Sequence, residues 1–161
     1  MEGFPSPACP RMIGAVHGGF AMEGFPVEGH WPLLRRHRIR WAECDLYAHV
    51  NHTAYLTLFE DLRVAFWEGL GGGFGPGEIG PVVGTLEVRY LRPAGFGDEV
   101  LLGCRTASVR RSSFVHEYAM WRADGLMCSA KGIIVVTNGP LKAAIPEAMR
   151  QAMIDGGATA E

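Results

Sequence analysis

The chain has 161 residues, 48% of them hydrophobic and 20% charged, with a formal net charge of −2. That length suits one domain with one core, and the apolar fraction and small net charge exclude disorder throughout. The near-neutral balance excludes a general nucleic-acid binder, and no apolar run reaches the roughly 18 residues of a membrane helix. Cys9, Cys44, Cys104 and Cys128 lie far apart with no CxxC pair. They read as reduced thiols, with neither a metal knuckle nor a disulfide scaffold implied. With no basic-then-apolar leader at the start, the expected compartment is the cytoplasm.

Residues 1–32 are rich in Gly and Pro, show no periodicity, and are expected to be a poorly ordered extension. Met-Glu-Gly-Phe-Pro occurs at 1–5 and again at 22–26, which makes Met22 a candidate natural start. Residues 33–41 alternate, His37, Ile39 and Trp41 against Arg36, Arg38 and Arg40, and read as a strand with a basic face. From Thr53 to Leu70 the period becomes helical, with Tyr55, Phe59, Leu62, Phe66 and Leu70 in one stripe that Leu56, Leu58 and Ala65 widen. A helix apolar over so wide an arc needs a sheet around it. The run Gly69-Leu70-Gly71-Gly72-Gly73-Phe74-Gly75-Pro76-Gly77 stops it and starts a loop that could act as a flap over 69–80.

Four further strands are predicted at 81–91, 99–109, 113–122 and 126–137, the last two joined at Ala123-Asp124-Gly125. The expected fold class is therefore α+β, a five-stranded antiparallel sheet wrapped around one long helix. The domain is placed at 33–146, followed by a tail at 147–161 with a turn of helix near Glu147 to Met153. Unpaired sheet edges favour edge-to-edge pairing, so a homodimer is expected, assembling further into a tetramer.

The residues with most chemistry fall between the first strand and the helix, Glu43-Cys44-Asp45-Leu46-Tyr47-Ala48-His49-Val50-Asn51-His52-Thr53-Ala54. A helix N-terminus there offers unpaired N–H groups and a positive dipole end, able to polarise a carbonyl. Asp45 just upstream could activate water or attack directly. Plainer roles compete: Asn51 or Thr53 as the helix cap, Asp45 in an Asx turn, and His49 and His52 as ordinary loop residues. Asp45, His49 and His52, three ligands within eight residues, match no standard metal spacing, so no metal is expected.

The stretch Arg40-Trp41-Ala42-Glu43-Cys44-Asp45-Leu46-Tyr47-Ala48-His49-Val50-Asn51-His52, continuing through Tyr55-Leu56 to Phe59-Glu60-Asp61-Leu62-Arg63, resembles the opening of hot-dog-fold acyl-CoA thioesterases of the 4-hydroxybenzoyl-CoA thioesterase group. Val88-Arg89-Tyr90-Leu91-Arg92-Pro93-Ala94 with Gly97-Asp98-Glu99-Val100, and Ser112-Ser113-Phe114 with Glu117-Tyr118, resemble later strands of that group in the same order. The resemblance spans roughly 34–146 and implies hydrolysis of an acyl-CoA to free acid and CoA, with CoA as part of the substrate and no further cofactor. It implies Asp45 as general base or nucleophile and the His52 backbone N–H as the group polarising the thioester carbonyl. His49 and Asn51 would shape the site. Many relatives have Asn where this chain has His52, and a second type of hot-dog thioesterase uses a helix Glu, for which Glu60 is the match. Arg92, Arg110, Arg111, Ser112 and Lys131 are the candidates for the CoA phosphates. Phe59, Phe66, Trp67 and Phe74 are either acyl-pocket lining or plain core. The competing functions are a thioesterase acting on an acyl carrier protein, a hot-dog hydratase or dehydratase, and a non-catalytic acyl-CoA-binding protein. No nucleic-acid or membrane partner is expected.

Overall fold

The structure is a computed structural model that describes residues 23–161. The repeat at 1–5 and most of the predicted extension lie outside the described residues. Strand β1 (Leu33–Arg38) leads through a 3-10 turn (Trp41–Glu43) into helix α1 (His52–Gly69). Strands β2 (Gly80–Tyr90), β3 (Glu99–Val109), β4 (Ser113–Arg122) and β5 (Gly125–Asn138) follow. The chain ends in β6 (Leu141–Lys142), α2 (Glu147–Asp155) and β7 (Thr159–Ala160). The main sheet has the order β1-β3-β4-β5-β2, all antiparallel, with β6 on β5 and β7 parallel to β3. The five strands around one helix are those the sequence predicts, with two short strands added.

Helix α1 lies on the concave side of the sheet. Tyr55, Leu58, Phe59 and Leu62 bury against Leu102, Cys104, Tyr118, Met120 and Cys128. Each large side chain so removed from water contributes about 2 kcal/mol. Phe59 stacks on Tyr118 at 5.1 Å between centroids, and Trp67 on Phe114 at 6.4 Å. Phe59 and Trp67 are therefore core, not pocket lining, because the sheet curls far enough to enclose them. The helix stripe is narrower than predicted: Leu56 is exposed and Arg63 takes a buried place under the helix.

Two boundaries differ from expectation. The first strand stops at Arg38, since Trp41–Glu43 turns back and Trp41 becomes exposed. Residues 23–32 are not detached from the domain: Phe25, Val27 and Trp31 pack on Leu101, Ala119 and Trp121 across the outer face of the sheet. On that same face runs a row of alternating charges, Glu87, Lys131, Glu117 and Arg105, one from each of β2, β5, β4 and β3 in register.

Candidate active site

The loop before α1 is pinned on both sides. Cys44 bridges to Val50 and His49 to Gly95, while the Val50 N–H donates to the Ala94 carbonyl at 2.7 Å. Beneath it sits Glu43, 6% exposed. Its carboxylate accepts from the Arg40 backbone N–H at 2.7 Å and the Arg40 guanidinium at 2.7 and 2.9 Å, and lies 2.9 Å from His37 Nε2. Burial works to raise the Glu43 pKa, but these donors outweigh it and hold the group below its ordinary value. The Glu43 carbonyl accepts the Asn51 N–H at 2.8 Å, so this residue anchors both ends of the loop.

Between the anchors the chain makes a tight turn with Ala48 at φ 61°. Asp45 Oδ1 accepts from the Tyr47 N–H at 2.8 Å and the His49 N–H at 3.3 Å, the Asx geometry anticipated for it. Oδ2 has no hydrogen-bond partner among the described residues. At the helix start Asn51 is the cap: its Oδ1 accepts from the Thr53 N–H at 3.0 Å and the Thr53 hydroxyl at 2.9 Å. The Ala54 N–H turns back to the Asn51 carbonyl, which leaves the His52 N–H as the first-turn donor the cap does not use.

These elements border an open cleft of about 340 Å³ lined by Asp45, His49, His52, Tyr55, Tyr90 and Arg92, among others. Tyr90 reaches from the end of β2, with its hydroxyl 3.5 Å from the His52 carbonyl and its ring 5.3 Å from that of Tyr55. The rim is apolar and half exposed, with Tyr90 50% and Leu91 54% accessible. An anchored carboxylate, a helix N-terminus and an apolar rim can together hold an acyl group and activate water at its carbonyl.

Of the site residues read from sequence, Asp45, His49, Asn51, His52 and Arg92 gather here, Asn51 as the cap rather than in the cleft wall. The others lie elsewhere in the protomer. Arg110, Arg111 and Ser112 form the turn after β3, at the opposite end of that 11-residue strand, about 35 Å from the end that carries the loop. Arg110 is ion-paired with Glu161 at 2.6 Å, and Lys131 is part of the outer-face charge row. Arg92 donates to the Asp124 carbonyl at 2.5 Å. Glu60, the helix acid, is ion-paired with Arg63 at 2.7 Å. Tyr90, Tyr55 and Glu43 escaped sequence reasoning as site residues. A tyrosine ending a strand looks like any core aromatic, and only the contrast between one buried and one open carboxylate marks Glu43. Among the described residues no group of His, Cys, Asp and Glu is arranged to hold a metal ion.

A long helix held in a five-stranded antiparallel sheet, with a charged loop at the helix N-terminus, defines the hot-dog class. Residues 39–153 match the model of the thioesterase-like superfamily, and the chain belongs to that family. A thioesterase-superfamily protein from Jannaschia sp. CCS1 is 28% identical, with a TM-score of 0.77 over 83% of this chain and 89% of that one. A thioesterase from Thermus thermophilus, solved with coenzyme A and Zn, is 29% identical, with a TM-score of 0.68 over 80% of this chain and 97% of that one. The uncharacterized protein YsmA of Bacillus subtilis strain 168 is 24% identical over 98 residues, 61% of this chain and 67% of that one.

Proposed function

We propose that the protein hydrolyses an acyl-CoA thioester, with Asp45 as the acting carboxylate and the His52 N–H as the oxyanion donor. The observation that carries this reading is the anchored Asp45 beside the uncapped His52 N–H in one open cleft, within a chain of the thioesterase-like superfamily. The coenzyme A bound by the Thermus thermophilus thioesterase supports the thioester class. Asp45 takes a proton from water as its oxygen attacks the carbonyl, or attacks directly to give an anhydride that water then opens. In either route the His52 N–H holds the oxyanion as the C–S bond breaks. In the first the thiolate takes the proton from Asp45; in the second it leaves as thiolate and the water that opens the anhydride releases the proton that balances it, so acid and free thiol result. One well-placed donor of this kind is worth about 3 kcal/mol at the barrier.

The reading includes a second copy of the chain. Edge strand β2 leaves an 11-residue row of backbone groups open, with Val82, Val83 and Tyr90 exposed along it. Two-fold pairing of β2 with itself is antiparallel and keeps both helices on one face. Gly80 pairs with Thr137, and the Val136 N–H donates to the Ser112 carbonyl, so the start of β2 and the 110–112 turn share one end of the sheet. Pairing brings that end of the partner toward the cleft of the first copy. Arg110, Arg111 and Ser112, remote within a protomer, then become available for CoA phosphates across the dimer. Thiol release from short, long and aromatic acyl-CoAs, beside the same acyl groups on a carrier protein, tests the reading. Turnover of a CoA ester with Asp45→Asn silent is the expected result; turnover of carrier-bound substrates alone would overturn the CoA assignment.

A further inference from the structure

Two turns that meet at the cleft end of the sheet are tied together by one side chain. Arg122, the last residue of β4, donates from Nη1 to Asp98 Oδ2 at 2.7 Å. Its Nε and Nη2 donate to the two carboxylate oxygens of Asp124 at 2.7 and 2.9 Å. A single exposed ion pair would fix little, but a planar guanidinium shared between carboxylates on two separate turns is a brace, because its donors cannot move independently. Arg122 holds the Asp124 carboxyl down to a pKa of about 2, so that pair stays charged through neutral pH.

From Asp98 the brace reaches the loop. The same Oδ2 that meets Arg122 accepts the Gly95 N–H at 2.9 Å and closes the turn between β2 and β3. Gly95 bridges to His49, and its neighbour Ala94 takes the Val50 N–H. A Cβ at Gly95 would stand 3.1 Å from the Ala48 carbonyl, so glycine lets this turn lie flush on the segment between Asp45 and the helix start. From Asp124 the brace reaches Arg92, which lines the cleft with Asp45. Arg92 Nη1 donates to the Asp124 carbonyl at 2.5 Å and lies 3.9 Å from its carboxylate. A Cβ at Gly125 would stand 2.8 Å from that same nitrogen, so glycine again makes the room.

We infer that Arg122 is a positioning residue of this cleft: through Asp98 it sets the loop that aims Asp45, and through Asp124 it sets Arg92 for a substrate phosphate. The inference rests on the thioesterase reading for its kinetics and goes beyond it, because Arg122 is not among the residues that line the cleft. Its two branches carry different duties. The Asp98 branch orients the acting carboxylate and belongs to kcat, whereas the Asp124 branch orients a binding group and belongs to KM.

The test combines steady-state kinetics with amide hydrogen exchange on the full chain. Arg122→Gln should lower kcat on the best acyl-CoA about tenfold and raise KM as well. Asp98→Ala should reproduce the fall in kcat alone, and Asp124→Ala the rise in KM alone. Arg122→Lys, which keeps the charge but not the fork, should recover only part of the loss. Exchange supplies a readout that needs no turnover: in Arg122→Gln the Val50 amide should exchange about tenfold faster while the Leu62 amide, in the middle of α1, keeps its parental rate. Parental kinetics in Arg122→Gln, or equal effects of Asp98→Ala and Asp124→Ala on both constants, would overturn the inference and leave the thioesterase reading standing. Exchange that rises equally at Val50 and Leu62 would mark a merely structural role and overturn it too. If the parental chain turns over no acyl ester, the thioesterase reading fails by itself, and the Val50 amide still decides whether Arg122 holds the loop.

Discussion

Asp45 and Glu43 are two residues apart and opposite in environment. Glu43 is buried and saturated by Arg40 and His37, whereas Asp45 offers an oxygen to an open cleft. Their roles differ accordingly: one holds the loop, the other acts. Glu43→Gln should cost about 2 kcal/mol of stability by thermal unfolding, because charge-assisted hydrogen bonds are lost while Arg40 keeps its charge. Activity should fall as well, since the Asn51 N–H rests on the Glu43 carbonyl. A second prediction concerns His116, fully buried with Nδ1 3.0 Å from the Tyr118 hydroxyl and Nε2 unpartnered. Burial, aided by the nearby Arg63 charge, lowers its pKa from 6.5 to about 3. The unfolded chain binds this proton below pH 6.5 and the folded chain does not, so the native state is at full strength above that value and weakens as pH falls toward 3. The slope is about 1.4 kcal/mol per pH unit, and unfolding of His116→Gln followed from pH 6.5 to 4.5 should show it removed.

The element that matters most is the α1 start. Asn51 satisfies Thr53 in both N–H and hydroxyl, so Asn51→Ala should cost about 1 kcal/mol of stability. It should lower kcat more than it raises KM, because it misaims the His52 N–H that acts in the transition state. Steady-state kinetics with circular dichroism checks both parts. Much of this element was legible in the sequence. The helical period, the Gly stop and Asn51 as one of two cap candidates were readable because each is a local rule. Arg63 under the helix and Trp67 in the core were not, since burial there depends on how far the sheet curls. The helix stripe alone cannot separate core from pocket, which is why Phe59 and Trp67 fit either role until the sheet is in place.

For the whole molecule, the strand set was readable but the position of each strand in the sheet was not. Placing β2 beyond β5 is a long-range choice with no local signature, and it decides which edge is open. It also decides which basic residues can meet a substrate. Arg110 and Arg111 are candidates for the CoA phosphates by family resemblance, and topology puts them at the far end of the protomer from the loop. Residues 23–32 show no periodicity because they lay three half-buried side chains on the sheet's outer face without forming an element of their own. A dimer in light scattering is expected from the open β2 edge. Charged residues in place of Val82 and Val83 should shift it to monomer and lower activity together; an active monomer would contradict the composite cleft. The reaction itself turns on Asp45. The most direct measurement is kcat of Asp45→Asn against the parental chain on the best acyl-CoA, with melting temperature recorded for both. Loss of at least about a hundredfold in kcat at an unchanged melting temperature is predicted. Turnover at the parental rate would contradict the assignment of Asp45.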